Sequence, residues 1–192
     1  MRIITGDYKG RRLYTPQGNN IIRPTTDKVK EAIFSIIQEY IDEAMFIDMF
    51  AGTGNLGLEA LSRGADHCYF CDSNRESINL IKKNIEYCRA EAKSTVLAGD
   101  YSKNIVKIGE DQSRGKHEKA DVILLDPPYK KGLMIDCIER ICDEGILAED
   151  GIIVAEHGSD EELPEKIRSF EIIKERKYAS IVITLYGYSE EM

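Results

Sequence analysis

Asp48-Met49-Phe50-Ala51-Gly52-Thr53-Gly54-Asn55-Leu56-Gly57 follows directly on the apolar run that begins at Met45. A strand that leaves through a glycine-rich turn into a helix is the opening unit of a doubly wound sheet, and the glycines let a ligand come close to the backbone. Outward from this stretch the pattern alternates. Strands are expected at Met45–Phe50, His67–Cys71, Ser94–Ala98, Ala120–Leu125 and Ile152–Glu156, and helices at Leu56–Arg63, Arg75–Cys88, Ser102–Ile108 and Leu133–Glu144. Such alternation implies a parallel sheet with helices on both faces. Val122-Ile123-Leu124-Leu125 is apolar throughout, as a central buried strand should be. Residues 109–118 are polar and contain glycine, so they read as a surface loop. Phe170–Lys177 and Ile181–Tyr188 follow each other without a long crossover, which suggests an antiparallel hairpin closing the sheet. The expected fold is α/β: a doubly wound, mostly parallel, seven-stranded Rossmann-like sheet.

Ahead of this body lies a small β-hairpin and helix extension. Residues 2–22 read as short extended pieces around Gly6, Gly10 and Pro16-Gln17-Gly18, too small for a core of their own. Arg23-Pro24 is extended by the proline rule. Thr25 or Thr26 can then cap a helix whose apolar face is Val29, Ile33, Ile36, Ile37 and Tyr40. The chain thus divides into an arm and helix at 1–40 and a main domain at 41–192. Seven cations against two acids give the first thirty residues a charge of +5, so with a net −8 the rest carries −13. A basic arm on an acidic body points to a polyanionic partner, with Arg2, Lys9, Arg11, Arg12 and Arg23 as the candidates for touching it.

Apolar residues make up 42% and charged residues 31%, the balance of a folded chain rather than a disordered one. No stretch approaches the roughly 18 apolar residues of a membrane span, and the N-terminus shows no apolar signal segment, so a cytoplasmic protein is expected. The five cysteines then read as free thiols. Cys68 and Cys71 form a C-x-x-C, but they sit inside an apolar strand, where a spacing of three sends the side chains to opposite faces. His67, His117 and His157 are scattered, and no metal is expected.

The glycine turn carries an acid, Asp48, at the strand end. Pyrophosphate prefers bare amides at a helix N-terminus. A carboxylate suits a cation, and S-adenosylmethionine brings a sulfonium and an ammonium. The second strand ends at Asp72, 24 positions on, where an acid can accept hydrogen bonds from ribose hydroxyls. The third is followed by Asp100, placed for an adenine amino group. Asp48, Phe50, Ala51, Gly52, Thr53, Gly54, Asp72 and Asp100 are therefore the cofactor candidates, since ligands bind at the carboxyl ends of such strands.

The fourth strand ends in Asp126-Pro127-Pro128-Tyr129. The prolines have no N–H to donate, yet their carbonyls remain as acceptors. With the Asp126 carboxylate and the Tyr129 ring they suit a planar amine, whose two N–H groups need acceptors and whose ring needs a stacking partner. Acceptors so placed favour a pyramidal nitrogen and its developing positive charge. Asp126, Pro127 and Tyr129 are the catalytic candidates. A nucleic-acid base must leave its stack to enter such a pocket. No Pro-Cys pair is present, which disfavours methylation of a pyrimidine carbon.

These segments together resemble the Rossmann-fold amino-methyltransferases of class I, and more specifically the bacterial RsmD family. The matching stretches are 2–13 (RIITGDYKGRRL), 23–34 (RPTTDKVKEAIF), 46–65 (FIDMFAGTGNLGLEALSRGA), 124–129 (LLDPPY) and 177–188 (KYASIVITLYGY). The resemblance implies S-adenosylmethionine as cofactor and guanine N2 of 16S ribosomal RNA as target. It also implies an assembling or assembled small subunit as the partner, with the enzyme a monomer. By it Asp48, Gly52 and Gly54 border the cofactor, Asp72 holds its ribose, and residues 126–129 face the guanine. Four positions depart from the family pattern: Asp72 stands where glutamate is common, Lys28 and Lys30 where arginine is frequent, and Ala179 where glycine is expected. The residues alone support base amino-methylation. Adenine N6 of DNA, a protein glutamine, and a silent binding module remain the other readings. The intact Asp126–Tyr129 run disfavours the last, the basic arm disfavours glutamine, and the short chain leaves little room for a DNA-recognition segment.

Overall fold

The computed structural model describes residues 1–16, 27–128 and 132–189. Its strands are β1 (Met45–Asp48), β2 (His67–Asp72), β3 (Ser94–Ala98), β4 (Ala120–Leu125), β5 (Leu147–Gly158), β6 (Lys166–Ile167), β7 (Phe170–Tyr178) and β8 (Ile181–Tyr188). They form a single sheet in the order β3-β2-β1-β4-β5-β8-β7-β6. The first five run parallel and the last three antiparallel. The reversal of strand order beside β1 makes the crevice between the carboxyl ends of β1 and β4 the natural ligand site.

The helices are α1 (Asp27–Ile36), α2 (Asn55–Ser62), α3 (Arg75–Cys88), α4 (Tyr101–Ser113) and α5 (Leu133–Glu144). Strand alternation sorts them into two layers. Phe46, Cys68, Phe70, Val122 and Leu124 face α1, α2 and α3, while Ile47, Tyr69, Cys71, Ile123 and Leu125 face α4 and α5. Cys68 and Cys71 thus lie on opposite faces of β2, as their spacing requires. All five cysteines are free thiols.

The sheet has eight strands where seven were expected. The additional β6 is a two-residue strand, too short to show an alternating pattern, and it turns into β7 through Arg168 at φ +54°. The stretch read as a loop at 109–118 is helical as far as Ser113, because Ile105, Ile108 and Asp111 continue the buried face of α4. Asp111 then anchors that turn, accepting from Tyr69 Oη at 3.2 Å and pairing with Lys107 at 3.1 Å and Lys116 at 3.2 Å. Phe50 lies in the turn rather than in β1, and β5 begins five residues earlier than the apolar run suggested. Among the described residues the N-terminal hairpin shows as an antiparallel bridge between Arg2 and Arg12; residues 17–22 of the expected extended stretch lie outside them. The candidate caps Thr25 and Thr26 lie outside the described residues, as does Arg23.

The arm is stitched to α2. Every residue of that eight-residue helix is buried, including Glu59 and Ser62, which would be the wet face of an ordinary amphipathic helix. The Glu59 carboxylate accepts from the backbone N–H of Ile4 (2.8 Å) and Thr5 (3.1 Å) and from Arg63 Nε (2.9 Å). It also pairs with Lys30 Nζ at 2.9 Å, both side chains being fully buried. Ser62 Oγ donates to Thr5 O and accepts from Tyr8 N. Gly6 is required here: it sits at φ +81°, and an added Cβ would fall 1.5 Å from Ser62 O. Among the described residues no helix is long and apolar enough to cross a membrane.

Candidate active site

Strand register gathers the acids. Asp48 pairs with Phe70 and Leu124, so Asp72 and Asp126 each follow two residues beyond its level on the flanking strands. Asp72 in turn pairs with Ala98, two residues before Asp100. Asp48 is buried and accepts the Gly57 N–H at 2.9 Å. Burial pushes its carboxyl up to about 7; the Gly57 N–H opposes that shift, and the nearby charges of Asp126 and Asp72 add to it. Three carboxylates therefore feel one another at the ends of β1, β2 and β4. A region of negative potential like this fits a sulfonium and an ammonium and would repel pyrophosphate.

The turn itself is held open. Gly52 adopts φ +57°, and an added Cβ would meet nothing nearer than Phe50 O at 4.0 Å. Asp72 supports the turn from below, accepting the Gly52 N–H at 2.9 Å and the Asn74 N–H at 2.8 Å. Gly54, at φ +77°, starts α2, and Gly57 lets α2 lie close on β2, where a Cβ would come within 2.4 Å of Phe70 Cε1. Ala51 is buried, its N–H donating to Cys71 O at 2.9 Å. Thr53 is buried, with its hydroxyl 3.0 Å from Met1 Sδ. Phe50 and Tyr101 lie with ring centroids 5.7 Å apart on the flank of the crevice. Asp100 caps α4, accepting from Ser102 N at 3.0 Å and Ser102 Oγ at 2.6 Å, which pulls its carboxyl down. The residues present fit S-adenosylmethionine by an open glycine cradle, a ring of acids and an aromatic flank.

On β4, Asp126 is half-buried, Pro127 buried and Pro128 exposed, directly beside the Asp48 turn; Tyr129 lies outside the described residues. A second concavity of about 570 Å³ opens at the opposite, amino ends of the strands, lined by Glu43, Asp66, Glu118, Lys119, Asp121 and Glu149 among others. It is remote from the turn and takes no part in the site.

A family model described as conserved hypothetical protein 95 matches residues 1–187. "Putative rRNA methyltransferase YlbH" of Bacillus subtilis is 37% identical over 97% of this chain and 98% of its own length. "Ribosomal RNA small subunit methyltransferase D" of Haemophilus influenzae is 31% identical over 97% and 93%. The solved structure of "Putative methyltransferase yhhF from Escherichia coli" superposes with a TM-score of 0.83 at 29% identity, covering 100% of this chain and 99% of that one. The chain belongs to the RsmD family.

Within this RsmD-family chain two parts of the arm reach the glycine turn, Met1 through Thr53 and Tyr14 through Asn84. Arg2 and Arg12 are bridge partners, both exposed, and Arg2 pairs with Asp27 at 3.0 Å. Lys9 is exposed. Arg11 donates to Tyr87 O at 3.0 Å. Lys30, counted in the basic arm from sequence, is withdrawn from the surface: besides Glu59 it donates to Arg2 O at 2.5 Å and Asn55 Oδ1 at 2.8 Å. Burial pushes its ammonium down, against the pull of Glu59.

Sequence reasoning passed over Asn84. It is fully buried on α3, accepts from Tyr14 N at 2.7 Å, and donates to Tyr14 O at 3.0 Å and Thr53 O at 2.9 Å. One side chain thus ties the arm to the glycine turn. Its signal was an amide on the apolar stripe of α3, between Ile81 and Cys88. Elsewhere, His67 and His117 stack with centroids 4.2 Å apart, and burial, aided by His117, pushes His67 down to about 4.

Proposed function

We propose that this protein transfers the methyl group of S-adenosylmethionine to the exocyclic N2 amine of a guanine in small-subunit (16S) ribosomal RNA. The observation that carries the reading is the convergence of Asp126-Pro127-Pro128 with Asp48 and Asp72 at the carboxyl ends of adjacent strands. When bound, the cofactor supplies an electrophilic methyl on a positively charged sulfur. Asp48 and the glycine turn counter that charge, and Asp72 is placed for the ribose hydroxyls. The Asp126 carboxylate and the Pro127 carbonyl accept the two N–H bonds of the amine, which localises its lone pair and stabilises the charge that develops on nitrogen. Tyr129, next in sequence, supplies a ring for stacking.

RNA rather than a small molecule is supported by the basic arm on a body that is otherwise acidic: Arg2 and Arg12 emerge near the head of α2, and Lys9 and Arg11 lie farther along, toward the C-terminal ends of α2 and α3; Arg23 belongs to the same basic segment in sequence. The names of the relatives support ribosomal RNA of the small subunit, and an assembling or assembled subunit acted on by a monomer is the expected context. The test is to incubate the protein with radiolabelled S-adenosylmethionine and unmodified small subunits, protein-free ribosomal RNA, or duplex DNA, and to map the label. Label on guanine N2 of small-subunit RNA is expected. Label on adenine N6 of DNA refutes the assignment. Asp126→Ala should keep cofactor affinity while losing most of kcat, because its acceptor acts on charge present only in the transition state.

A further inference from the structure

Among the described residues four large apolar side chains are exposed, Tyr14, Tyr87, Val106 and Ile173, and the two tyrosines lie together. Tyr14, on the arm, is 41% exposed, and Tyr87, on α3, is 45% exposed. Their rings meet edge to face, with centroids 5.6 Å apart at 74°. Lys83 Nζ stands 3.7 Å from the centre of the Tyr14 ring, and the Arg11 guanidinium lies 5.2 Å from that of Tyr8 while donating to the carbonyl of Tyr87. Aromatic faces open to solvent and interleaved with cations are what an unpaired nucleotide needs: a ring for the base and a positive charge for its phosphate.

The backbone beneath is rigid. Asn84 grips Tyr14 through both its N–H and its carbonyl and, with the same amide, holds Thr53 O of the glycine turn. The patch is therefore one side chain away from the cofactor turn and continuous with the basic arm. On a chain of net −8, Lys83 and Arg11 give it local positive charge. A protein partner would have to bring carboxylates to this place; a polyanion with π-faces satisfies both the charges and the rings.

We propose that Tyr14 and Tyr87, flanked by Lys83 and Arg11, form a stacking platform for an unpaired base of the RNA substrate, a base other than the one methylated. The proposal rests on the reading of the substrate as RNA and adds a second recognition point to it. The platform reads the single-stranded character of the RNA near the target, because stacking tolerates any base but requires that the base be unpaired.

The chain contains no tryptophan, which supplies the probe. Tyr14→Trp and Tyr87→Trp each keep a stacking ring, and each gives a protein with one indole. Its emission should be quenched when protein-free small-subunit ribosomal RNA is added to the full chain with S-adenosylhomocysteine present. In filter binding at fixed salt, Tyr14→Leu with Tyr87→Leu should weaken RNA affinity about ten- to a hundredfold. Tyr14→Phe with Tyr87→Phe should bind like the parent, and cofactor affinity should be the same in all. Unquenched indoles in a complex that has formed, or a leucine pair that binds RNA like the parent, overturns the platform while leaving the RNA reading intact. A leucine-pair defect seen with assembled subunits but not with protein-free RNA also overturns it, because the surface then meets a ribosomal protein. A parent protein that neither binds nor methylates RNA removes the substrate reading, and the platform with it.

Discussion

Asp48 offers the sharpest test of the cofactor crevice, because its charge is costly to the fold and useful only to a cation. Its carboxyl is buried, keeps the Gly57 N–H, and is pushed from the ordinary 3.8 up to about 7, chiefly by burial. A group whose folded value is raised binds its proton more tightly in the folded chain. The stabilisation is fully present below the unfolded value near 4 and is lost as pH rises through about 7. At about 1.4 kcal/mol per tenfold in proton affinity, the loss amounts to roughly 4 kcal/mol. Asp48→Asn removes the titration yet keeps an oxygen for the Gly57 N–H. Urea unfolding should therefore show the variant and the parent differing little in pH response below pH 4, with the variant gaining by a few kcal/mol between pH 5 and pH 8. Cofactor binding should show the reverse. A cation favours ionised Asp48, so the parent should release a proton on binding near pH 7 and bind more tightly at pH 8 than at pH 6. Asp48→Asn should bind more weakly and without that proton. Calorimetry in two buffers of different ionisation heat, read as parent minus variant, isolates this proton from any on the ligand. A stability gap that stays constant with pH, together with identical proton release in both proteins, would refute the argument.

Gly52→Val should abolish binding of S-adenosylmethionine, since its side chain would enter the open cradle from a backbone at φ +57°; Asp72→Ala should weaken binding by about 1.5–3 kcal/mol, both read by titration calorimetry. Ala179→Gly should raise stability by about 0.5–1 kcal/mol in urea, because Ala179 holds φ +55° in the two-residue turn between β7 and β8, where glycine is favoured. Lys9→Ala with Arg12→Ala should flatten the dependence of log RNA affinity on log salt by about 0.7–0.9 for each phosphate that is no longer neutralised, with cofactor affinity unchanged.

The elements that sequence revealed are those whose pattern is set by two-sided burial. The parallel strands β1, β2 and β4 are buried on both faces, and α3 and α5 carry a clear apolar stripe, so their bounds were legible within a residue or two; the half-buried edge strand β3 was legible as the extended run between two helical patterns. Composition misled where a helix continues under polar residues: in α4 the buried Asp111 looked like a loop residue and is the anchor of the last turn. It was silent where pairing is too short to alternate, as in β6. Ala179 shows a different limit. Its departure from an expected glycine could be seen in the sequence, but its meaning required the left-handed backbone angle. In the site, the four acids at strand ends were legible because the fold fixes where strand ends go. Glu59, Asn84 and Lys30 were not, since all their partners except Arg63 lie 25 to 70 positions away and most are backbone groups.

Those three residues also explain how a small arm holds a fixed place without a core of its own. A buried ion pair such as Lys30–Glu59 contributes little net stability, since desolvation consumes most of the attraction. An apolar pair of equal volume would serve stability as well. It could not serve the arm, because the N–H groups of Ile4 and Thr5 would then be buried without an acceptor, at about 1–3 kcal/mol each. Glu59 accepts from both, and from Lys30 and Arg63, so its carboxylate is saturated only when the arm lies in one register. A slip by one residue would set a side chain where Gly6 now passes and drive it into Ser62. The register so fixed decides where Arg2 and Arg12 emerge. It brings them out opposite each other across the bridge, at the head of the helix that grows from the glycine turn.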